Sequence, residues 1–157
     1  MRILVYGAGV LGCELAHALI QNKKNVVTLL ARGEWKEMID QKGLTIRHWV
    51  QRKTTVDRVQ TIDTLAPDDC YDLVFVVMQA GQLPQVLPIL KENKSSYFVF
   101  VGNDPQAKQV LEFMQRPADK IAFGFQGTAG RREHDHVVSV YASAGMTVGS
   151  ATTPLSG

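Results

Sequence analysis

Apolar residues along the chain occur in short continuous runs, separated by longer segments in which they recur at helical spacing. The runs occupy residues 3–6, 25–30, 73–78, 97–101 and 121–125. An apolar run of this length predicts a strand buried on both faces, as in a parallel sheet. The segments between them predict helices over residues 10–21, 34–41, 82–94 and 105–115. Strands that alternate with helices indicate an α/β fold.

Two other stretches have a different pattern. Residues 43–64 alternate apolar and polar positions, most clearly in 44–47 and 56–62. This alternation predicts short antiparallel strands that form a small extension at the edge of the main sheet. Residues 137–141 and 146–148 are candidate strands on either side of Gly145, so the end of the chain has the character of a hairpin.

Length and composition favour one globular domain. The chain has 157 residues, of which 45% are hydrophobic and 20% are charged, a balance that a disordered segment does not have. We assign residues 1–149 to this domain. Residues 150–157, rich in Ser, Thr, Pro and Gly, are interpreted as a linker.

Charge and hydropathy exclude several classes of partner. A net charge of +2, with basic residues scattered in pairs such as Lys23-Lys24 and Arg131-Arg132, does not predict nucleic-acid binding. No apolar run approaches the length of a membrane helix. Met1 leads directly into the first strand without a signal peptide, which predicts a cytoplasmic protein. Cys13 and Cys70 have no metal-ligand spacing, and Cys13 is expected to be a buried thiol, so no metal site is predicted.

A glycine motif follows the first strand directly and opens the first helix. It reads Gly7-Ala8-Gly9-Val10-Leu11-Gly12, a G-x-G-x-x-G pattern. In this context Gly7 permits a tight turn, Gly9 lets the backbone approach a pyrophosphate, and Gly12 lets helix and strand pack closely. The helix N-terminus offers free N–H groups to the phosphates. The motif predicts a Rossmann-type, doubly wound sheet in which these six residues bind a dinucleotide.

The end of the second strand indicates which dinucleotide binds. NAD sites usually carry a carboxylate there, which accepts a hydrogen bond from the ribose 2′-hydroxyl. This strand ends at Ala31-Arg32, and Glu34 is expected to fall beyond it, in the next helix. Because a guanidinium can bind a 2′-phosphate through two charge-assisted hydrogen bonds, Arg32 favours NADP(H). The alternative is a surface arginine without a ligand.

Polar amides follow two later strands of the predicted sheet. Met78 and Gln79 end one strand, and Asn103 follows the next. In open α/β sheets the ligand lies across the carboxyl ends of the strands, so these residues are expected at the nicotinamide end of the cofactor. Asn103 could alternatively cap the helix that begins near Pro105.

These segments together resemble the N-terminal domain of the ketopantoate reductase (2-dehydropantoate 2-reductase) family over nearly the whole chain. The segments that carry the resemblance are the glycine motif, Val27-Thr-Leu-Leu-Ala-Arg-Gly33, Lys42-Gly-Leu-Thr-Ile46, Asp72-Leu-Val-Phe-Val-Val77, Gln82, Gly102-Asn103 and Gly145-Met-Thr-Val-Gly149. The resemblance implies reduction of a 2-keto acid by hydride transfer from NADPH. It also adds Gln82 to the cofactor-binding residues, as the glutamine of the family's Lys-x-x-Gln motif.

The chain departs from the family pattern at two positions. Gln79 stands where the family commonly has lysine, and Asp104-Pro105 replaces the usual glycine after Asn103. Both changes point away from ketopantoate itself, which is an anion. The family's catalytic lysine lies in a helical C-terminal domain that this chain lacks, so no catalytic residue is assigned here. The alternative function is a dinucleotide-sensing module without chemistry, and the sequence leaves a homodimer open.

Overall fold

A computed structural model describes residues 1–77, 83–101, 107–116, 120–127, 130–133, 135–139 and 145–150. The helices are α1 (Val10–Ile20), α2 (Gly33–Lys42), α3 (Leu83–Glu92) and α4 (Ala107–Met114). The strands are β1 (Arg2–Tyr6), β2 (Val26–Leu30), β3 (Leu44–His48), β4 (Lys53–Asp57), β5 (Gln60–Ile62), β6 (Leu73–Val77), β7 (Phe98–Val101), β8 (Ile121–Gly127), β9 (Gly130–Arg132), β10 (Val137–Ser139) and β11 (Gly145–Ser150). Within the described residues, each of the five apolar runs contains a strand and each of the four segments with helical spacing contains a helix.

The main sheet has seven strands in the order β11-β8-β7-β6-β1-β2-β5. Its strands pair in parallel except for β11, which is antiparallel to β8. Buried side chains of α1 and α2 pack on one face and those of α3 and α4 on the other. The chain runs outward from β1 in both directions, which confirms the prediction of a doubly wound, mostly parallel Rossmann-type sheet.

The predicted extension at the edge of the main sheet is in part a separate second sheet. This sheet has four strands in the order β4-β3-β10-β9. β3 and β4 are antiparallel as expected. The assignment of 56–62 to antiparallel strands is wrong for β5, which joins the main sheet parallel to β2. The expected hairpin around Gly145 is also wrong, because β10 pairs with β3 and β9 while β11 pairs with β8. β9 was not predicted at all, since three residues with two arginines carry no apolar pattern.

Helix α1 lies between the two sheets. Five consecutive residues of α1, from Gly12 to Ala16, are buried, which is more than one face of a helix can supply. One side packs on the main sheet, and the other contacts β3, β9 and β10 of the second sheet. The inner side chains Leu44, Ile46 and Val137 are fully buried in the same core as α1. No helix in the described part of the chain has the length and hydropathy needed to span a bilayer.

Candidate functional site

The glycine motif forms the turn between β1 and α1, at the carboxyl end of the parallel strands. Gly7 has a φ of +127°, and a side chain there would overlap the carbonyl oxygen of Val77 at the end of β6. A Cβ on Gly12 would overlap the carbonyl oxygen of Gly7. The first and third glycines are therefore required by the protein's own backbone, because β1, β6 and α1 meet here at close range.

Gly9 differs from its two neighbours in the motif. It is exposed, and no atom lies within 4 Å of the position that its Cβ would take. Its φ of −76° and ψ of −167° are open to other residues. The fold itself does not require glycine at this position. A glycine that faces open space at a helix N-terminus fits a group that approaches the backbone from outside.

Helix α1 begins at this open position without a side-chain cap. The amide of Cys13 donates to the carbonyl of Gly9, which starts the helical hydrogen bonds. The amides of the first turn, from Val10 to Gly12, precede the first of these bonds and point out of the helix end. Such amides, together with the helix dipole, form an anion site. Ala8, Val10 and Leu11 are partly buried against the core, so they offer a ligand chiefly their backbone.

Cys13 stabilises the glycine turn through a hydrogen bond from its buried side chain. Its thiol is fully buried and donates a hydrogen bond to the carbonyl of Ala8 at 3.4 Å. Burial raises the pKa of the thiol to about 12, so the sulfur stays protonated and is a poor nucleophile. Cys70 is a free, exposed thiol. The prediction of a buried structural thiol at Cys13 is confirmed.

Arg32 lies two residues after the end of β2 and is the N-cap residue of α2. Its side chain is exposed and lines a cavity of about 840 Å³. Among the described residues, no carboxylate lies within 4.0 Å of its guanidinium. Glu34 lies in the first turn of α2, as expected. The tip of β2 therefore carries a cation that is free to take an anionic partner.

Arg132 was missed by the sequence reasoning, which placed it on a solvated surface. It lines the same cavity as Arg32, although it comes from β9, and its guanidinium lies 5.0 Å from the centre of the Trp35 ring. Nothing local in the sequence indicates this position, because the pairing of β9 with β10 brings Arg132 across the second sheet to α2. Acidic residues also line the cavity, at Glu34, Glu37, Glu133 and Asp135.

Four predicted site residues, Met78, Gln79, Gln82 and Asn103, lie outside the described residues. Val77 and Val101, which end β6 and β7, are paired neighbours in the sheet. The described part of the chain holds no cluster of three or more residues suited to a metal ion.

The fold is similar to two solved enzymes. A 2-dehydropantoate 2-reductase from Geobacter metallireducens GS-15 superimposes with a TM-score of 0.77 at 20% identity, covering 97% of this chain and 50% of that one. A D-mandelate dehydrogenase solved with NADH and anilino(oxo)acetate gives a TM-score of 0.79 at 20% identity, covering 94% and 48%. At this identity the likeness is one of fold, and the chain spans about half the length of each structure.

Sequence comparison identifies the family. No curated protein sequence matches the chain significantly. The family model described as ketopantoate reductase PanE/ApbA matches residues 3–152. This match covers the glycine motif, Arg32 and both sheets, and it confirms the resemblance seen in the motifs. The chain belongs to the ketopantoate reductase family.

Proposed function

We propose that the chain binds NADPH and forms the cofactor-binding domain of a reductase that converts a 2-keto acid to a 2-hydroxy acid. The open space at Gly9, in front of the uncapped N-terminus of α1, carries this proposal. Gly7 and Gly12 are explained by backbone contacts within the protein, whereas Gly9 is explained only by a ligand. The NADH held by the D-mandelate dehydrogenase of the same fold supports a nicotinamide dinucleotide.

The glycine turn would hold the pyrophosphate of the cofactor. Amides of Val10, Leu11 and Gly12 would donate to its oxygens, with the positive end of the α1 dipole behind them. Ala8 would contribute backbone to the same turn. Arg32, with no carboxylate partner in the described part of the chain, would bind the 2′-phosphate that distinguishes NADPH from NADH.

The other end of the cofactor would lie over β6 and β7. We assign Met78, Gln79, Gln82 and Asn103 to the nicotinamide and the substrate, because they follow β6, which pairs with β1, and β7, which pairs with β6. The bound cofactor supplies the hydride, and these residues orient the ring and the keto group. Amides orient a carbonyl but are weak proton donors, so we assign no general acid to this chain.

Catalysis in this proposal needs residues from beyond the domain. The chain spans half the length of the 2-dehydropantoate 2-reductase of the same fold. The domain boundary expected after residue 149 falls one residue short, because Ser150 ends β11 and pairs with Ala122. We propose that the cofactor domain extends to Ser150 and that the residues after it link it to a helical domain carrying the proton donor. Gln79 in place of the family's lysine removes a cation, which favours a 2-keto acid other than ketopantoate. Two free cysteines agree with a reducing, cytoplasmic setting.

Calorimetric titration with NADPH and NADH tests the cofactor assignment. We expect NADPH to bind more tightly, and Arg32→Ala to weaken NADPH binding roughly ten- to hundred-fold while leaving NADH unchanged, because one charge-assisted contact is lost. Lys23→Ala is the matched control, since it removes one positive charge from an exposed position in the turn after α1. Equal affinities of the unmutated chain for the two cofactors would contradict the role of Arg32. Binding of neither would contradict the proposed function itself.

A further inference from the structure

A second cavity, of about 850 Å³, lies on the second sheet and concentrates positive charge. Among the described residues, four cationic side chains line it, from Lys42, Arg47, Arg52 and Lys53, against one carboxylate, that of Asp135. This local excess is larger than the net charge of +2 of the whole chain. Charge of one sign gathered at a concave surface raises the local concentration of ligands of the opposite sign.

Most of this charge has no counter-charge nearby. Lys42 Nζ lies 3.9 Å from a carboxylate oxygen of Asp135. Within the described ranges, no acidic group lies within 4.0 Å of Arg47, Arg52 or Lys53. Three neighbouring cations without an acidic partner in the described ranges repel one another, and a bound anion would reduce that repulsion.

An exposed indole stands at the same cavity. Trp49 is 60% exposed, an unusual position for a large aromatic side chain. Its backbone is fixed, because its amide donates to the carbonyl of Ser139 on β10 at 2.8 Å. The guanidinium of Arg47 lies 5.6 Å from the centre of its ring. A cation and a flat aromatic surface are therefore held side by side on a rigid sheet.

This cavity is separate from the glycine turn. His48 lines it, and the centre of the His48 ring lies 5.1 Å from that of His17. His17 lies eight residues after Gly9 along α1, which is about 12 Å at the rise of an α-helix. A ligand in this cavity therefore does not need the site at the N-terminus of α1.

We propose that this cavity binds a phosphorylated small molecule that carries a planar ring. Its phosphates contact Arg47, Arg52 and Lys53, and its ring stacks on Trp49. The volume falls within the range of about 300–1,000 Å³ typical of small-molecule sites. The low net charge of the chain argues against a nucleic-acid strand, which needs a basic surface that extends further. This proposal is independent of the dinucleotide site.

ATP is the probe, and the fluorescence of Trp49 is the signal. The chain has two tryptophans, of which Trp35 is 9% exposed and Trp49 is 60% exposed. The part of the ATP-induced quenching that disappears in Trp49→Phe therefore comes from Trp49 and reports binding in this cavity. The titration is run in a Gly9→Asp background, where a carboxylate blocks nucleotides from the glycine turn. We expect ATP to quench Trp49, and Arg47→Gln/Arg52→Gly to weaken binding about ten-fold or more through loss of two charged contacts. Glycine suits position 52, where φ is +53°.

Lys23→Gln/Lys24→Gln is the matched control. It removes the same two charges from exposed positions in the turn after α1, and we expect ATP binding to be unchanged. Equal affinities of the Arg47/Arg52 variant and the unmutated chain would overturn the proposal, as would absence of quenching at millimolar ATP. Tighter binding of a single-stranded oligonucleotide than of ATP would overturn it in favour of a nucleic-acid surface. If Gly9→Asp does not fold, the same comparison of variants in the unmutated background decides the question.

Discussion

The two sheets of this molecule are formed by segments with different patterns of apolar and polar residues. In the main sheet, β6 and β7 are almost wholly buried apolar runs, and one helix connects each of the parallel pairs β1–β2, β6–β7 and β7–β8. In the second sheet, β3 alternates buried and more exposed positions, and its partner β10 lies far along the chain. The main sheet is organised by local pattern, and the second is organised by the need to cover α1.

In each sheet, some residues are required by the protein's own packing, and others would be required by a ligand. At the main sheet, Gly7 and Gly12 satisfy contacts within the protein, while Gly9 faces open space. At the second sheet, Leu44 and Ile46 fill the core while Arg47 and Trp49 face outward. In both regions, packing leaves some residue identities unexplained, at Gly9, Arg47 and Trp49, and the proposed ligands would account for them.

The largest expected effect is at Gly12. Gly12→Ala should lower the free energy of unfolding by about 2–3 kcal/mol, because the new methyl group overlaps the Gly7 carbonyl by more than helix propensity returns. Gly9→Asp is the matched variant. It should leave stability equal or slightly higher, since aspartate is a good N-cap residue, and it should abolish dinucleotide binding. Urea unfolding and calorimetry measure the two effects. A destabilised Gly9→Asp or an unaffected Gly12→Ala would remove the distinction between these glycines.

The second largest effect on stability is expected at Glu14, which lies on α1 between the two sheets. Its side chain is 4% exposed on the side of α1 that meets β10, and neither carboxylate oxygen has a hydrogen-bond partner among the described residues. Burial raises its pKa, while the Ser139 hydroxyl and the His17 imidazole act in the opposite direction. The folded protein therefore binds a proton at Glu14 that the unfolded chain releases above its ordinary pKa of about 4.5.

Stability should accordingly fall as the pH rises from about 4.5 through the raised pKa, by about 1.4 kcal/mol for each pKa unit of the shift. Glu14→Gln should remove this fall, so that its stability relative to the unmutated chain improves from acid to neutral pH. Urea unfolding across this pH range tests the effect, with the exposed Glu112→Gln on α4 as control. If the Glu14→Gln curve keeps the original slope, Glu14 is ionised in the folded protein.

The smallest effect concerns the link between α1 and β4. His17 Nδ1 donates to the Asp57 carboxylate at 2.5 Å, with both side chains mostly shielded from solvent. Asp57→Asn should cost about 1 kcal/mol and should speed amide exchange in β3 and β4 while leaving β1 and β6 protected. Asp68→Asn breaks the exposed pair with Lys94 and should change stability by a few tenths of a kcal/mol. Equal acceleration in both sheets would show that they open as one unit.

Residues 3–6 and 73–77 illustrate what could be predicted from sequence, because a buried parallel strand must be apolar on both faces wherever it occurs. The glycine motif is similarly local, since a strand, a tight turn and a helix are all encoded within residues 2–20. Arg32 was located correctly at the tip of β2 for the same reason. Its assignment as a ligand for the 2′-phosphate remains a prediction.

The strand pairing of the second sheet could not be predicted from local sequence patterns. β5 and β10 alternate or cluster their apolar residues much as an antiparallel strand would, and three-residue segments do not specify a partner. Cavities likewise join residues that are distant in the chain, such as Arg32 with Arg132 and Arg47 with Asp135. Burial of Glu14 was equally hidden, since a polar residue in a helix is normally expected on its solvated face.

The amino-acid sequence by itself determined five strands of the main sheet, β1, β2, β6, β7 and β8, together with the glycine turn and the family, because each depends on residues that are neighbours in the chain. The tertiary structure alone decided that α1 is covered on both sides, that β5 pairs in parallel, and that four cations share one cavity. These features arise from contacts between distant segments. Their geometry depends on how the apolar faces of both sheets pack against α1, and no local sequence pattern predicts that packing.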